Sequence, residues 1–381
     1  MKWEKVRLED CCYSISDGDH QPPPKAQQGI PFVTISNINS MNQLDFSDTM
    51  FVPKEYYQSL DEKRKVRKGD VLYSVVGSFG IPVLIKEERP FVFQRHIAIL
   101  RPKEDIVDSG FLFYTMLNRD FYAKADAVAI GAAQRTVSLG SLRNIKIDVP
   151  SLESQKHIAD ILSAYDDLIE NNQKQIKLLE EAAQRLYKEW FVDLRFPGHE
   201  NTKIVDGVPE EWRKFPLEEI APVVTGKKDA NYGDKGGNYP FFTCSQETIT
   251  APGYSFDTSA VILAGNGDFN VKLYRGRFEA YQRTYVLAPF DHSNLFNLYF
   301  KVQDNMEALA KGASGSTIKF LTKGMLQKIL VLTADKKILD KFNDYEENIQ
   351  QKVEALKKQV EDLTEIRNRL LPKLMSGEVE V

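Results

Sequence analysis

Cysteine, histidine and long apolar runs are all scarce in this chain, and each scarcity removes a class of function. Its three cysteines (Cys11, Cys12, Cys244) form no Cys-x-x-Cys pair, and its five histidines (His20, His96, His157, His199, His292) show no metal-ligand spacing. Neither a disulfide framework nor a zinc site is expected. No run of about 18 apolar residues occurs, and the first residues are charged and lack the apolar core of a secretion signal. This predicts no membrane partner and a cytoplasmic location. Catalytic motifs are missing too: there is no GxxxxGK[ST] phosphate loop, no GxSxG elbow, no HExxH helix and no Asn-Pro-Pro-aromatic segment. Gly265-Asn266-Gly267 is a fragment of a dinucleotide fingerprint and reads better as a tight turn. No catalytic residue, bound metal or cofactor is expected on this chain.

What is present suits a globular protein of two or three domains: 381 residues, 42% hydrophobic and 27% charged. The net charge of -4 argues against a wholesale polyanion binder, yet an average hides local patches. Residues 61–146 hold 15 Lys/Arg against 10 Asp/Glu, and residues 260–333 hold nine against five. These excesses permit a nucleic-acid contact without establishing one.

The two basic stretches occupy corresponding parts of a duplicated chain. Trp3, Leu8 and Glu9 match Trp212, Leu217 and Glu218 at a shift of 209 residues, and "IPFVT" (30–34) matches "YPFFT" (239–243) at the same shift. Further on, "VLYSVVGSFG" (71–80) matches "VILAGNGDFN" (261–270), Gln94-Arg95 matches Gln282-Arg283, and "GAAQRTV" (131–137) matches "GASGSTI" (312–318). The shift shrinks stepwise, as it does when loops change length on a common framework. In each half, β-branched and aromatic runs punctuated by Gly, Pro, Asn and Asp predict strands, and 111–124 and 295–311 predict helices, giving two α+β domains.

A different texture follows each domain. Between Ser151 and Phe191 there is neither Gly nor Pro; Leu162, Ile169, Ile176, Ala183 and Trp190 recur every seven residues, and Ile158, Tyr165, Asn172, Leu179 and Leu186 form a second such series. Phe342, Ile349, Leu356, Leu363 and Leu370 repeat the pattern near the C-terminus, flanked by Leu339, Val353 and Val360. Interleaved heptads describe the apolar seam of a long helix, and the two helices are expected to bury their seams on each other as an antiparallel coiled coil. Asn172 in the seam reads equally as a register-fixing polar residue or a tolerated one. The expected organisation is a domain over 1–150, a helical spacer over 151–195, a second domain over 196–334 and a second helix over 335–381, with a pseudo-two-fold relation between halves.

Candidate binding residues concentrate in matched Gly-rich loops. Gln134, Arg135 and Thr136 offer an amide, a guanidinium and a hydroxyl; Ser314, Ser316, Thr317 and Lys319 offer hydroxyls and an ammonium in the corresponding loop. Gln and Arg suit base edges, whereas Ser, Thr and Lys suit phosphates. Ser78 and Asn266 lie in the Gly-rich turns after strands, where backbone can approach a ligand. Arg95 and Arg283 stand beside them, with two readings open: DNA contact, or structural pairing with carboxylates.

With these residues on the page, the chain resembles the specificity subunits of type I restriction-modification systems over nearly all its length. The resemblance is carried by "NIKIDVPSLESQKHIADIL" (144–162), "GDVLYSVVGSFGIPVLI" (69–85), "RLYKEWFVDLRFPGHE" (185–200) and "RLLPKLMSGEVEV" (369–381). At the second domain's exit the family pattern is broken, with Thr333, Asp335 and Ile338 set against Pro150, Leu152 and Gln155, and Asn270 replaces the last glycine of the hairpin. The resemblance implies two target recognition domains, each reading half of a split double-stranded DNA site, and helices that space them. It implies docking of two modification (methyltransferase) subunits and of restriction/translocase subunits, with S-adenosylmethionine, ATP and Mg only on those partners. The competing readings are a coiled-coil structural adaptor and a DNA-mimicking assembly protein; the latter needs clustered acid where both domains carry basic excess.

Overall fold

In the computed structural model, residues 3–18, 20, 22–132, 134–315 and 319–381 are described. The chain divides into two compact units, one formed by 1–173 with 358–381 and the other by 174–357.

The core of the first unit is an antiparallel sheet of Cys12–Asp17, Ile97–Pro102, Val71–Ser74 and Pro82–Leu84, in that order. Its two central strands are apolar on both faces because both faces are covered, and strand alternation sorts their side chains. Val71, Tyr73, Ala98 and Leu100 point to a helical layer containing Phe111, Leu112 and Met116. Leu72, Ile97 and Ile99 point the other way, onto Phe91 and onto Val33 and Phe93 of a smaller sheet. That sheet joins Met50–Val52, Ile30–Val33 and Val92–Phe93, the last pair parallel. The helical layer is Ser109–Leu117 and Arg119–Ala127, so the single helix expected over 111–124 is broken. Asn118 breaks it by turning extended and capping the second piece.

The second unit repeats this register by register. Val71↔Leu100 and Ser74↔Ile97 become Val261↔Leu287 and Ala264↔Thr284; Phe32↔Val92 becomes Phe241↔Glu279. One long strand, Val271–Ala280, does the work of both Pro82–Leu84 and Val92–Phe93, which fuses the two sheets into one of six strands. Its helical layer, Leu295–Asp304 and Met306–Gly312, breaks at Asn305.

In both units the strand that enters the globular fold pairs with the last: Glu4–Arg7 with Lys146–Val149, and Arg213–Pro216 with Leu330–Thr333. Trp3 and Trp212 precede these entering strands. Trp3 packs on Phe111 and is approached by Gly377, and Trp212 packs on Phe191 and Phe196. Since Glu4 faces Val149 as Arg213 faces Thr333, Ala334, Lys336 and Leu339 stand at the places of Pro150, Leu152 and Gln155. The sequence match at this exit was one residue out.

The long helices are Leu152–Tyr187, continued by a π-helical turn at Lys188–Val192, and Lys336–Ser376. In the first unit they run antiparallel: Arg367 Nη1 meets Asp166 Oδ1 at 2.7 Å, and Asn172 Nδ2 donates to Gln359 Oε1 at 3.2 Å. In the second unit Lys357 pairs with Glu180 at 3.0 Å, and Trp190 packs on Phe342. Leu162, Ile169 and Leu356 are buried; Ile176, Leu179, Leu186, Ile349, Leu363 and Leu370 are half-buried.

Candidate nucleic-acid interface

At one end of each main sheet three loops are tied into a ledge by backbone hydrogen bonds. In the first unit Val75 N donates to His96 O (2.8 Å), Val137 N to Val75 O (2.9 Å) and Gly77 N to Arg135 O (3.0 Å). The second unit repeats all three: Gly265 N to Arg283 O (2.9 Å), Leu321 N to Gly265 O (2.8 Å) and Gly267 N to Lys319 O (3.4 Å). Each ledge thus combines the turn before a central strand, the Gly-rich turn after its neighbour, and a tight loop closed by paired bonds, Ile130 with Thr136 and Ser314 with Phe320.

Glycine is required where these chains touch. A Cβ on Gly18 would lie 2.2 Å from Phe93 O, and one on Gly226 1.9 Å from Ala280 O. Gly77 and Gly267 turn at φ 72° and 68°, and Gly131 and Gly315 at 96° and 109°, a region that L side chains avoid. The Gly-rich turns are stapled differently. In the first, Ser74 Oγ donates to Ser78 O and accepts from Ile81 N, both at 2.9 Å. In the second, where Ala264 replaces Ser74, Asn270 Nδ2 donates to Asp268 O (2.8 Å) and Cys244 O (3.2 Å). Lys272, whose ammonium burial holds below the usual lysine range, donates to Ser245 O at 2.8 Å and fixes the adjoining loop.

The framework is shared while the side chains differ. Arg135 Nη2 reaches Asp126 through the carbonyl (2.6 Å) and the carboxylate (2.8 Å), which pins the guanidinium at the loop's rim. Lys319 takes the place of Arg135 in the second unit, exposed and without a carboxylate within 4 Å among the described residues. Gln134, Ser78 and Ser314 are exposed; Thr136 and Asn266 are half-buried; Ser316 and Thr317 lie outside the described residues. Arg95 and Arg283 are exposed, and among the described residues neither has a carboxylate partner. Burial and the neighbouring Arg95 charge hold His96 below the ordinary imidazole value, so the first ledge gains no cation there near neutral pH.

Two sequence matches need correction. Arg283 O does what His96 O does, so the identical Gln-Arg dipeptides are one residue out of step and Arg95 corresponds to Gln282. Phe320 pairs as Thr136 does, so "GAAQRTV" is matched by the segment beginning at Gly315, three residues beyond the sequence match. The structure also brings forward residues that sequence reasoning passed over. Ile130 is 68% exposed on the first loop, beside exposed Val128 and a Tyr122 ring stacked on Phe79, and Phe320 is 39% exposed on the second. An exposed apolar residue in a polar loop is invisible before the loop's pairing is known.

No helix among the described residues is long and apolar enough to cross a membrane. Comparison with known proteins gives a consistent result. A family model described as "Type I restriction modification DNA specificity domain" matches residues 1–181 and 209–362. The type I restriction enzyme EcoDI specificity subunit of Escherichia coli is 36% identical over 176 residues, 45% of this chain and 39% of that protein. That alignment therefore spans about two fifths of the relative's length. The MjaIX specificity subunit of Methanocaldococcus jannaschii is 26% identical over 82% of this chain and 78% of its own. The HindI specificity subunit of Haemophilus influenzae is 23% identical over 99% of both. Among solved structures, a type I restriction-modification S subunit from M. genitalium aligns with a TM-score of 0.67 at 17% identity, covering 98% of this chain and 96% of that one, a likeness of fold.

Proposed function

The chain belongs to the type I restriction-modification DNA specificity family, and we propose from that premise that its two ledges each read one part of a split double-stranded DNA target. The observation that carries this reading is the repeated ledge itself: identical backbone bonding in both units, with Arg135 in one loop where Lys319 stands in the other. A rigid shared frame with divergent side chains is what two readers of different short sequences require. Arg135 and Gln134 suit bidentate contact with guanine and adenine edges; Lys319, Ser78, Ser314 and Asn266 suit phosphates and backbone; Arg95 and Arg283 flank both. Ser316 and Thr317 belong to the same assignment by sequence. Ile130 and Phe320 add the apolar contact that a thymine methyl offers in the major groove.

The chain supplies recognition and its partners supply chemistry. Two modification subunits carrying S-adenosylmethionine would transfer methyl groups, and restriction/translocase subunits using ATP and Mg would move and cut DNA. The paired helices would dock these partners and fix the unread gap. The test is to assemble the chain with its modification subunits and map methylated bases across a genome. A bipartite motif with a constant gap is expected, and replacing 212–333 by the matching segment of a relative should change one half-site alone. A contiguous motif, or methylation independent of this chain, would overturn the reading.

A further inference from the structure

Buried polar atoms without a hydrogen-bond partner are few in folded proteins, and each asks for an explanation. Among the described residues one lies in the first unit, Tyr73 Oη. The rest crowd into two stretches of the second: Ser293 Oγ, Asn294 Oδ1, Asn297 Oδ1, Asn343 Oδ1 and both carboxylate oxygens of Glu346. The stretches face each other, since Asn343 Nδ2 donates to Ser293 O at 2.9 Å. Asn297 Nδ2 is committed to Leu332 O, also at 2.9 Å, which leaves its oxygen without a donor.

The duplication provides the control. The matched strand registers set Asn297 at the place of Gly110, Asn343 at that of Ala159 and Glu346 at that of Leu162. In the first unit this seam is apolar and tight: a Cβ on Gly110 would lie 3.0 Å from that of Ala159, and Leu162 is fully buried. The second unit exchanges Gly, Ala and Leu for Asn, Asn and Glu and still buries two of them, with Asn297 1% and Glu346 0% exposed, while Asn343 is half-buried with its Oδ1 enclosed. An isolated carboxylate in such a place is strongly disfavoured.

The charged groups nearby do not answer Glu346. Arg275, on Val271–Ala280, is committed to Glu347; Glu180, on the first long helix, to Lys357. Tyr299, on Leu295–Asp304, only has its hydroxyl proton held more tightly, by burial first and then by the Glu180 and Glu346 charges. What is left without a partner is oxygen alone: amide oxygens, a hydroxyl and one carboxylate, the donor set of a hard cation. One carboxylate balances one positive charge, which favours a monovalent ion over a divalent one.

We propose that Asn297, Asn343 and Glu346, with Asn294 and Ser293 beside them, hold a single sodium or potassium ion between the second globular fold and the long helix packed on it. The ion requires Glu346 ionised, whereas burial alone pushes that carboxyl up to about 8, so binding near neutral pH releases a proton.

The full chain, exchanged into choline chloride, is titrated with NaCl, KCl, MgCl2 and CaCl2 at matched ionic strength while Tm and proton release are followed. Sodium or potassium should raise Tm by several degrees, saturating at one ion per chain with release of protons. Glu346→Gln, which keeps the shape and removes the charge, should lose both effects. The triple change Asn297→Gly, Asn343→Ala, Glu346→Leu restores the first unit's seam and should make Tm independent of the ion. Equal Tm in choline, sodium and potassium overturns the proposal, as does a response to magnesium or calcium alone. So does an ion effect that survives Glu346→Gln.

Discussion

Lys319 and Arg135 sit at one structural position with different surroundings, and that difference is measurable. Lys319 is unpaired among the described residues, so Lys319→Ala should weaken binding of all duplexes alike and lower the salt slope by about one. Arg135 is held on Asp126, so Arg135→Lys, which keeps the charge and loses the fork, should cost affinity for the cognate half-site more than for scrambled DNA, by roughly 1–3 kcal/mol. Anisotropy titrations of the assembled complex at several salt concentrations separate the two. Glu346 gives a pH prediction. Its folded value, about 8, is raised by burial above an ordinary carboxyl, so in choline stability is full below about pH 4.5 and is lost as pH rises through 8. Denaturant titrations of the wild type and Glu346→Gln from pH 5 to 9 check this: the slope should flatten in the variant. At this scale the sequence was only partly legible. The identical Gln94-Arg95 and Gln282-Arg283 dipeptides invited a match that backbone bonding places one residue out, because turns conserve hydrogen bonds rather than letters. The polar seam at Asn343 and Glu346 was not legible at all, since its meaning depends on Gly110 and Ala159 in the other half.

Among the elements, the long helices were the most legible, because a seven-residue period of apolar side chains has few structural solutions. The seam is not uniformly apolar, and its polar positions carry the sharper expectations. Arg367 is held by Asp166, which also accepts from Tyr114 Oη at 2.7 Å. Arg367→Leu leaves that partly buried carboxylate with the Tyr114 hydroxyl as its remaining donor, and should destabilise the chain by about 1–3 kcal/mol in chemical denaturation. Asn172→Leu removes the Asn172–Gln359 bond and buries more apolar surface; stability should hold or rise while register is less strictly specified. Disulfide trapping of engineered cysteine pairs across the helices, at native and one-turn-shifted positions, should then find shifted pairs only in the variant. The short helices misled in a different way. Leu295–Asp304 and Met306–Gly312 share one apolar pattern, and only the cap at Asn305 separates them.

For the whole molecule, duplication was legible from Trp3 and Trp212 onward, whereas the fused six-stranded sheet of the second unit was not, because strand continuity across Val271–Ala280 depends on a loop being absent. Each globular fold leaves the framework where it joined it: Glu4–Arg7 lies against Lys146–Val149, and Arg213–Pro216 against Leu330–Thr333. Both ends of everything between are therefore anchored to each other before they reach a helix. Insertions and deletions in loops away from the layer packed on the helix can accumulate without passing strain to the seam. Natural selection can then rewrite the loops of each fold quickly, while the seam of the long helices changes at the pace of a core.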